Sequence, residues 1–213
     1  MNRIPNQRMD IAEGAGPGGP ESGERVPMSD AEVYVFRRFL DGDEADLLFH
    51  RLRREIAWKT ETIRLFGRHI AMPRLVAWYG DLPYTYSGLT MPAEDWPPCL
   101  VGIKREVSKR TAQPFNGVLL NLYRDGRDSM SWHADDEPEL GRDPVIASLS
   151  LGSVRRFVFR RNDDKSSKVL VDLPHGSLLV MDGRTQHHWQ HAVPKTAKPV
   201  GERINLTFRA LFG

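Results

Sequence analysis

Short apolar runs separated by turn-forming residues occupy the second half of the chain, from residue 115 onward. Runs of this length and spacing are typical of β-strands in a jelly roll or barrel. The polar segment 161–168 between two of these runs is predicted to form a hairpin loop. The predicted strands cover residues 118–123, 145–151, 156–159, 169–173, 177–181, 189–193 and 204–211.

The first half of the chain has a different pattern. Residues 32–39 are predicted to form a strand, and residues 41–56 a helix, since apolar residues recur there at helical spacing and Asp41 or Asp43 can cap it. A second helix is predicted over residues 96–110, with Pro97 and Pro98 in its first turn. The segment 58–86 is polar, basic and aromatic, which favours hairpins lying over a site.

The C-terminal strand shows the most informative alternation. One face carries Ile204, Leu206 and Phe208, and the other face carries four polar residues. A buried strand face with two unpaired cations would cost several kcal/mol or more, so that face needs an anionic partner. Arginine forks suit carboxylates and phosphates, which indicates a small dicarboxylate or an anionic cofactor. An exposed strand with a solvated polar face is the alternative. The polar face consists of Arg203, Asn205, Thr207 and Arg209.

Candidate metal ligands lie upstream of this strand. His133 and Asp135 are two residues apart, hence on one face of an extended segment. Histidines at 187, 188 and 191 each offer a second imidazole. Two histidines and one carboxylate form the facial triad that binds non-haem Fe(II) and leaves coordination positions open. On residue type alone, the choice among the three downstream histidines stays open.

Six segments in this order resemble one known family. They are NLYRDG (121–126), WHADDEP (132–138), IASLSLG (146–152), HGSLLVM (175–181), WQH (189–191) and RINLTFR (203–209). The resemblance is to the AlkB family of Fe(II)- and 2-oxoglutarate-dependent nucleic-acid dealkylases, covers residues 30–213, and is strongest to its second and third homologue types. It implies a mainly β protein with flanking helices (α+β), built on a double-stranded β-helix (jelly roll) with N-terminal helices and a nucleotide-recognition lid.

The resemblance also assigns roles to the polar residues. It implies that His133, Asp135 and His191 bind Fe(II) and are the catalytic residues, and that His187 and His188 are not ligands. Arg203 and Tyr123 would hold the distal carboxylate of 2-oxoglutarate. The other implied co-substrate residues are Asn121, Asn205, Thr207 and Arg209. O2 is the oxidant, and an N-methyl group would be oxidised and lost as formaldehyde.

A methylated base inside a duplex cannot reach a buried metal, so the base must be single-stranded or flipped out. The resemblance implies that Tyr86 and the His133 ring stack on the base and that Phe66 fills the gap left in the duplex. Arg64, Arg68 and Arg74 are candidate phosphate contacts. The implied substrate-binding residues are Phe66, Gly67, Arg68, Tyr84, Tyr86, Asp136 and Glu137.

Composition sets the boundaries and the compartment. Residues 1–29 carry five Gly and four Pro and are predicted to form a disordered tail before a single dioxygenase domain, 30–213, with the lid at 57–90. The formal net charge is +2, but residues 51–74 contain seven Lys/Arg against two Glu, a candidate nucleic-acid footprint. The single cysteine, Cys99, suits a reducing compartment. The chain has no apolar run long enough to span a membrane and no export signal, so we expect a cytoplasmic monomer, nuclear if the source is eukaryotic.

The expected function is oxidative demethylation of 1-methyladenine- and 3-methylcytosine-type bases in DNA, single- or double-stranded, with RNA as a second polymer. Repair of alkylation damage is the expected purpose. One alternative is an oxygenase of the same fold that acts on a protein or a small molecule. Another is a binding module that has lost its chemistry, which the intact His133, Asp135, His191, Arg203 and Arg209 argue against.

Overall fold

The structure is a computed structural model, and it describes residues 23–65, 68–86 and 88–213. The side chains of residues 63–65, 68, 69 and 86 are not described. Three residues of the predicted lid, Phe66, Gly67 and Ser87, lie outside the described residues, as do residues 1–22 of the predicted tail.

The described strands begin and end close to the predicted bounds in the second half of the chain. In chain order they are β1 (Glu24–Arg25), β2 (Glu32–Phe36), β3 (Thr62–Leu65), β4 (Arg68–Ala71), β5 (Leu75–Gly80), β6 (Tyr84–Tyr86), β7 (Leu89–Met91), β8 (Gly117–Tyr123), β9 (Met130–His133), β10 (Ile146–Gly152), β11 (Arg155–Arg161), β12 (Lys168–Leu173), β13 (Ser177–Asp182), β14 (Trp189–Val193) and β15 (Arg203–Arg209).

The two long helices precede β8, as predicted. They are α1 (Gly42–Glu55) and α2 (Pro98–Thr111), and a short helix α3 (Thr185–His188) lies just before β14. Asp41 caps α1 in a capping box with Glu44, so the first of the two proposed caps is the correct one. None of the helices within the described ranges is both long and apolar enough to cross a membrane.

Two antiparallel sheets form the body of the domain. The larger sheet has the strand order β1-β2-β13-β10-β15-β8-β5, and the smaller has the order β12-β11-β14-β9. From β8 to β15 the chain alternates between the two sheets, except for the hairpin β11–β12, which lies within the smaller sheet. This arrangement is a double-stranded β-helix of the jelly-roll type. The predicted fold class is confirmed.

Apolar side chains form two clusters, one on each face of the larger sheet. The cluster between the sheets contains Leu119, Met181, Phe157 and Phe159. The second cluster lies on the outer face, where α1 and α2 cover the sheet. Since both faces are covered, the central strands β8 and β15 are buried along their whole length.

The burial of both faces decides whether the polar face of the C-terminal strand is buried or exposed to solvent. Ile204, Leu206 and Phe208 face the helices as part of the outer cluster. The alternate residues, Arg203 and Arg209 among them, face the space between the sheets and are buried as well. The polar face of β15 is therefore not solvated, and a functional site lies where it points.

The predicted tail boundary at residue 29 is wrong for residues 23–29. Glu24 and Arg25 form β1, which pairs with β2, and Val26 and Met28 are buried in the cluster between the sheets. The prediction was wrong here because it rested on the high Gly and Pro content of residues 1–29, in which the apolar residues Val26 and Met28 are only two positions. Arg161 further anchors this segment through hydrogen bonds to Ser29 and Asp30.

The predicted lid at 57–90 also needs correction. It contains two hairpins, β3–β4 and β6–β7, which touch each other through β3 and β7. Between them runs β5, which is the edge strand of the larger sheet and pairs with β8. Residues 75–80 are thus part of the core, and only the hairpins are free to lie over a site.

The basic run at 51–74 is divided in the same way. Arg51 and Arg53 lie on α1, on the side of the larger sheet away from the space between the sheets, and form ion pairs with Glu55 and Glu202. Arg74 is only 3% exposed, so it is not a phosphate contact, contrary to the prediction. Of the three predicted phosphate contacts, Arg64 and Arg68 remain, on the hairpin β3–β4.

Candidate metal and co-substrate site

Three predicted metal ligands meet at one end of the smaller sheet. His133 ends β9 and His191 lies in β14, where the two residues are direct cross-strand partners. Asp135 follows two residues after His133. One ligand atom from each of these three residues lies within 4.8 Å of the others, a separation that suits a single metal ion. Asp135 and His191 are buried, whereas His133 is half-buried and marks the open side of the site.

The imidazoles are held in the neutral form that metal binding requires. Burial, reinforced by the charges of His133 and Arg209, lowers the pKa of His191 to about 3. Burial likewise lowers the pKa of His133. His133 Nδ1 lies 2.8 Å from the carbonyl oxygen of Ser131, so the ring donates to that oxygen through Nδ1. His191 is stacked on Phe157, which fixes its ring plane.

Asp135 is held ionised and fixed in orientation. Burial alone would raise the pKa of Asp135, but the charges of Arg209, His191 and His133 outweigh burial and lower it below its usual range. Its Oδ1 accepts a hydrogen bond from Arg209, while Oδ2 is buried without a hydrogen-bond partner in the described part of the chain. The Asp135 backbone N–H donates to Gln186 Oε1 at 3.0 Å. One carboxylate oxygen is therefore left for a cation.

The competing histidines lie elsewhere. His187 is in α3, where its Nε2 lies 2.9 Å from Asp143 on the surface. His188 is the last residue of the same helix and is not part of the cluster of possible ligands. His175 Nδ1 accepts from the Gly152 N–H at 2.7 Å, which stabilises a turn. Among the described residues, only His191 joins His133 and Asp135 in such a cluster.

The pocket beside these ligands contains a cation, Arg203, that has no counter-ion among the described residues. Arg203 is 1% exposed and donates from Nη2 to Ser150 Oγ at 2.8 Å. Its Nε and Nη1 atoms are buried and have no hydrogen-bond partner among the described residues. Its guanidinium lies over the Tyr123 ring, 5.2 Å from the centroid, and burial lowers the pKa of Arg203. Two unused donors on a buried cation fit one carboxylate of a dicarboxylate ligand.

The remaining predicted co-substrate residues line the same pocket but differ in their free hydrogen-bonding groups. Asn205 Nδ2 donates to Ser148 Oγ and to the Leu149 carbonyl, and its Oδ1 accepts from Thr207. The Asn205 amide is thus fully used within the protein. Asn121 Oδ1 accepts from Arg74 at 2.6 Å. Its Nδ2 remains as a donor at the pocket wall.

The predicted substrate residues whose side chains are described differ in burial. Tyr84 is fully buried, stacked on Trp78 with centroids 4.7 Å apart, and its other neighbour is the Arg209 guanidinium. Its ring is therefore a support beneath the site. Burial, and then the charge of Asp135, raises the pKa of Glu137, whose Oε2 is buried without a partner in the described ranges. Asp136 is exposed.

Several site residues were not singled out from the sequence. Ser148 and Ser150 hold Asn205 and Arg203, and their alternation with apolar residues in β10 is a period-2 signal that marks an inward polar face. Gln186 holds Asp135, and Arg74, which the sequence suggested only as a phosphate contact, holds Asn121. No local pattern reveals these two roles, because each residue acts on a partner that lies close only after folding.

The family match agrees with the geometry of this site. Residues 32–209 match the model of the 2OG-Fe(II) oxygenase superfamily. The chain therefore belongs to that superfamily, and as such it is an enzyme that uses Fe(II), 2-oxoglutarate and O2. The ligand chemistry agrees, since the cluster offers two neutral imidazoles and a free carboxylate oxygen beside an unpaired buried arginine.

Two relatives narrow the assignment. Alpha-ketoglutarate-dependent dioxygenase alkB homolog 3 of Bos taurus is 45% identical over 195 residues, covering 87% of this chain and 68% of the relative. DNA oxidative demethylase ALKBH2 of Bos taurus is 42% identical over 180 residues, covering 79% of this chain and 65% of the relative. The chain is a member of the AlkB family, as the sequence motifs indicated.

A solved structure supports the fold. The structure of OsALKBH1 superposes with a TM-score of 0.58 at 17% identity, covering 84% of this chain and 96% of that chain. At that identity the match concerns the architecture alone. It agrees with the two-sheet jelly roll described above.

Proposed function

We propose that this enzyme removes N-methyl groups from damaged bases in DNA. The 1-methyladenine and 3-methylcytosine types are the proposed lesions, with formaldehyde as the second product and repair of alkylation damage as the purpose. RNA is a second candidate polymer. The similarity to a relative named as a DNA oxidative demethylase supports this choice.

One observation in the site carries the proposal. The metal cluster is most exposed at His133, and the exposed Asp136 and the half-buried Glu137 follow Asp135 directly in the sequence. Methylation at N1 of adenine or N3 of cytosine makes the base cationic. Carboxylates beside the opening would bind such a cationic base more tightly than a neutral base. Partial burial strengthens this attraction.

The residues have distinct proposed tasks. His133, Asp135 and His191 bind Fe(II), which together with 2-oxoglutarate and O2 supplies the oxidation of the methyl C–H bond. Arg203 and Tyr123 hold the distal carboxylate of 2-oxoglutarate, and Asn121 and Arg209 lie nearer the metal. Asn205 and Thr207 keep the pocket wall in place. Arg209 also holds Asp135 in the orientation that frees Oδ2.

The hairpins β3–β4 and β6–β7 are the proposed nucleotide-recognition lid. Tyr84 anchors β6 to the catalytic pocket through its contact with Arg209. Tyr86, on the same strand, and His133 are the proposed stacking partners of the base, and Asp136 and Glu137 meet its polar edge. Phe66 and Gly67, which stand between β3 and β4 in the sequence, and Arg68 are proposed to contact the strand that carries the lesion.

Turnover of 2-oxoglutarate with defined substrates tests the proposal. We expect succinate formation to rise when an oligonucleotide with one 1-methyladenine is added, and to stay at the uncoupled rate with the same oligonucleotide unmethylated. A methylated peptide is the matched control for the alternative of a protein substrate. Stimulation by the peptide and not by the oligonucleotide would reject the nucleic-acid assignment.

We further propose that the enzyme acts as a monomer, because the metal cluster and the co-substrate pocket are built from one chain. Cys99 is a free buried thiol, and Fe(II) is stable under reducing conditions. Both suit the cytoplasm, or the nucleus if the source is eukaryotic.

A further inference from the structure

Arg74 is a buried cation without an acidic partner among the residues that the structure describes. It is 3% exposed and lies directly before β5, between the first hairpin and the core. Its hydrogen bonds go to Asn121 Oδ1 at 2.6 Å and to the Ser129 carbonyl oxygen at 3.3 Å. A buried charge with only neutral acceptors is costly, so a specific task for this side chain is expected.

The contact with Asn121 determines which way the amide faces. The two residues approach because β5 pairs with β8, with Val76 opposite Asn121. Arginine has donors and no acceptor, so the amide atom that faces Arg74 Nε must be the oxygen. The amide NH2 group is then the one presented to the pocket that Asn121 lines.

We propose that Arg74 is a positioning residue for co-substrate binding: it holds the Asn121 amide so that Nδ2 donates to a carboxylate of 2-oxoglutarate. Without Arg74 the amide is free to turn by 180° and to place its oxygen against the carboxylate. The proposal rests on the proposed role of Asn121 and is independent of which substrate the enzyme oxidises.

A purely structural role is the competing explanation. Arg74 also joins the start of β5 to the loop before β9, where the Ser129 N–H donates to the Pro73 carbonyl oxygen at 3.0 Å. Loss of the hydrogen bond from Arg74 to the Ser129 carbonyl oxygen would loosen the pocket whether or not Asn121 is present. The two explanations therefore differ in whether the effect of Arg74 passes through Asn121.

A double-mutant cycle measures this difference. The protein is loaded with Mn(II), which prevents turnover, and the dissociation constant of 2-oxoglutarate is measured by calorimetry without any oligonucleotide. Arg74→Met is expected to weaken binding about tenfold, the loss of one hydrogen bond to a charged group. In the Asn121→Ala background the same change is expected to alter binding less than about twofold. An equal loss in both backgrounds, or no loss in either, overturns the proposal.

Arg155 provides a matched control. It is 2% exposed and donates to the carbonyl oxygens of Asp125, Asp128 and Pro194, with no contact to Asn121. Arg155→Met is expected to cost the same factor in both backgrounds. If Arg155→Met also loses its effect in the Asn121→Ala background, the cycle does not report on the Arg74 contact and the assignment fails.

A second variant keeps the test valid if Arg74→Met does not fold. Asn121→Asp retains the acceptor for Arg74 and adds a buried ion pair, so we expect its melting temperature to equal or exceed that of the wild type. It has no donor to offer, so 2-oxoglutarate should bind more weakly than to Asn121→Ala. Wild-type affinity in Asn121→Asp overturns the proposal. Because only metal and co-substrate are present, an incorrect choice of nucleic-acid substrate does not affect either result.

Discussion

Arg209 and Asp135 form an ion pair in which each side chain is at most 2% exposed. Arg209 occupies Oδ1 of the carboxylate and leaves Oδ2 toward the imidazole of His191, whose Nε2 lies 3.5 Å away. A buried arginine is thus used to orient a metal ligand and to keep it ionised. The same strand holds Arg203, whose Nε and Nη1 have no hydrogen-bond partner among the described residues. One strand face therefore carries both the arginine that orients Asp135 and the arginine that we propose binds the co-substrate.

The choice of His191 over His187 is directly testable. We expect His133→Ala, Asp135→Ala and His191→Ala each to abolish succinate formation, because each removes one of three ligands. His187→Ala should keep most of the activity, since its ring bonds Asp143 on the surface. Metal content, measured on the same variants, should fall in the first three alone. Full activity in His191→Ala with loss in His187→Ala would show that the wrong histidine was chosen.

The unused donors of Arg203 predict its role in co-substrate binding. Arg203→Ala should raise the 2-oxoglutarate concentration needed for half-maximal activity by about tenfold or more, as expected for loss of a charged hydrogen-bonded pair. Arg203→Lys keeps the charge but loses the fork, so its effect should be smaller. Steady-state kinetics with 2-oxoglutarate as the varied substrate decide the matter. An unchanged requirement in Arg203→Ala would contradict the assignment.

The buried imidazoles predict acid sensitivity of the metal-free protein. The pKa of His191 is lowered to about 3 in the folded state, below the usual value near 6.5. Between these values the unfolded chain binds a proton that the folded chain does not, so stability rises with pH. On acidification from about pH 6.5 each such histidine costs on the order of 1 kcal/mol per pH unit. His133 adds an effect of the same sign.

Urea unfolding of the metal-free protein at pH 7 and pH 5 measures this dependence. His191→Leu should unfold with a smaller difference between the two pH values than the wild type. The His187→Ala variant is the control, since it changes an exposed histidine that bonds only at the surface. A pH difference that is the same in wild type and His191→Leu would exclude His191 as its source.

The sequence predicted those features that are encoded locally. The alternation in β15 identified both the core face and the polar face, and the helical spacing of Ala45 and Leu52 identified the buried stripe of α1. The sequence also identified His133 and Asp135 as a pair of candidate metal ligands, because they lie two residues apart in one segment. These features depend on neighbours at most a few residues apart, which a sequence displays directly.

What was missed depends on contacts between distant segments. Arg74 and Asn121 are 47 residues apart and meet only because β5 joins the edge of the larger sheet. The predicted lid includes Leu75–Gly80, because the surrounding segment is aromatic and basic, although these residues form a core strand. Residues 23–29 were assigned to the tail because their apolar side chains are few, although Val26 and Met28 fill the space between the sheets.

The last prediction concerns Phe66, which lies outside the described residues and stands between β3 and β4 in the sequence. We expect Phe66→Ala to impair repair of a lesion in duplex DNA more than repair of the same lesion in a single strand. Extrusion of a base leaves a gap in the duplex, and an apolar side chain can refill it and recover part of the unstacking cost. A single strand has little stacking to lose.

Aromatic stacking contributes roughly 1–3 kcal/mol per base, so the duplex rate should fall about tenfold if Phe66 inserts. The measured quantity is the ratio of duplex to single-strand repair rates, for wild type and variant at one fixed salt concentration. The fixed salt matters because phosphate contacts, such as those proposed for Arg64 and Arg68, weaken as salt rises and would shift both rates. If Phe66 only packs within its hairpin, both substrates suffer alike and the ratio is unchanged. A changed ratio assigns the preference for duplex or single-stranded substrate to Phe66.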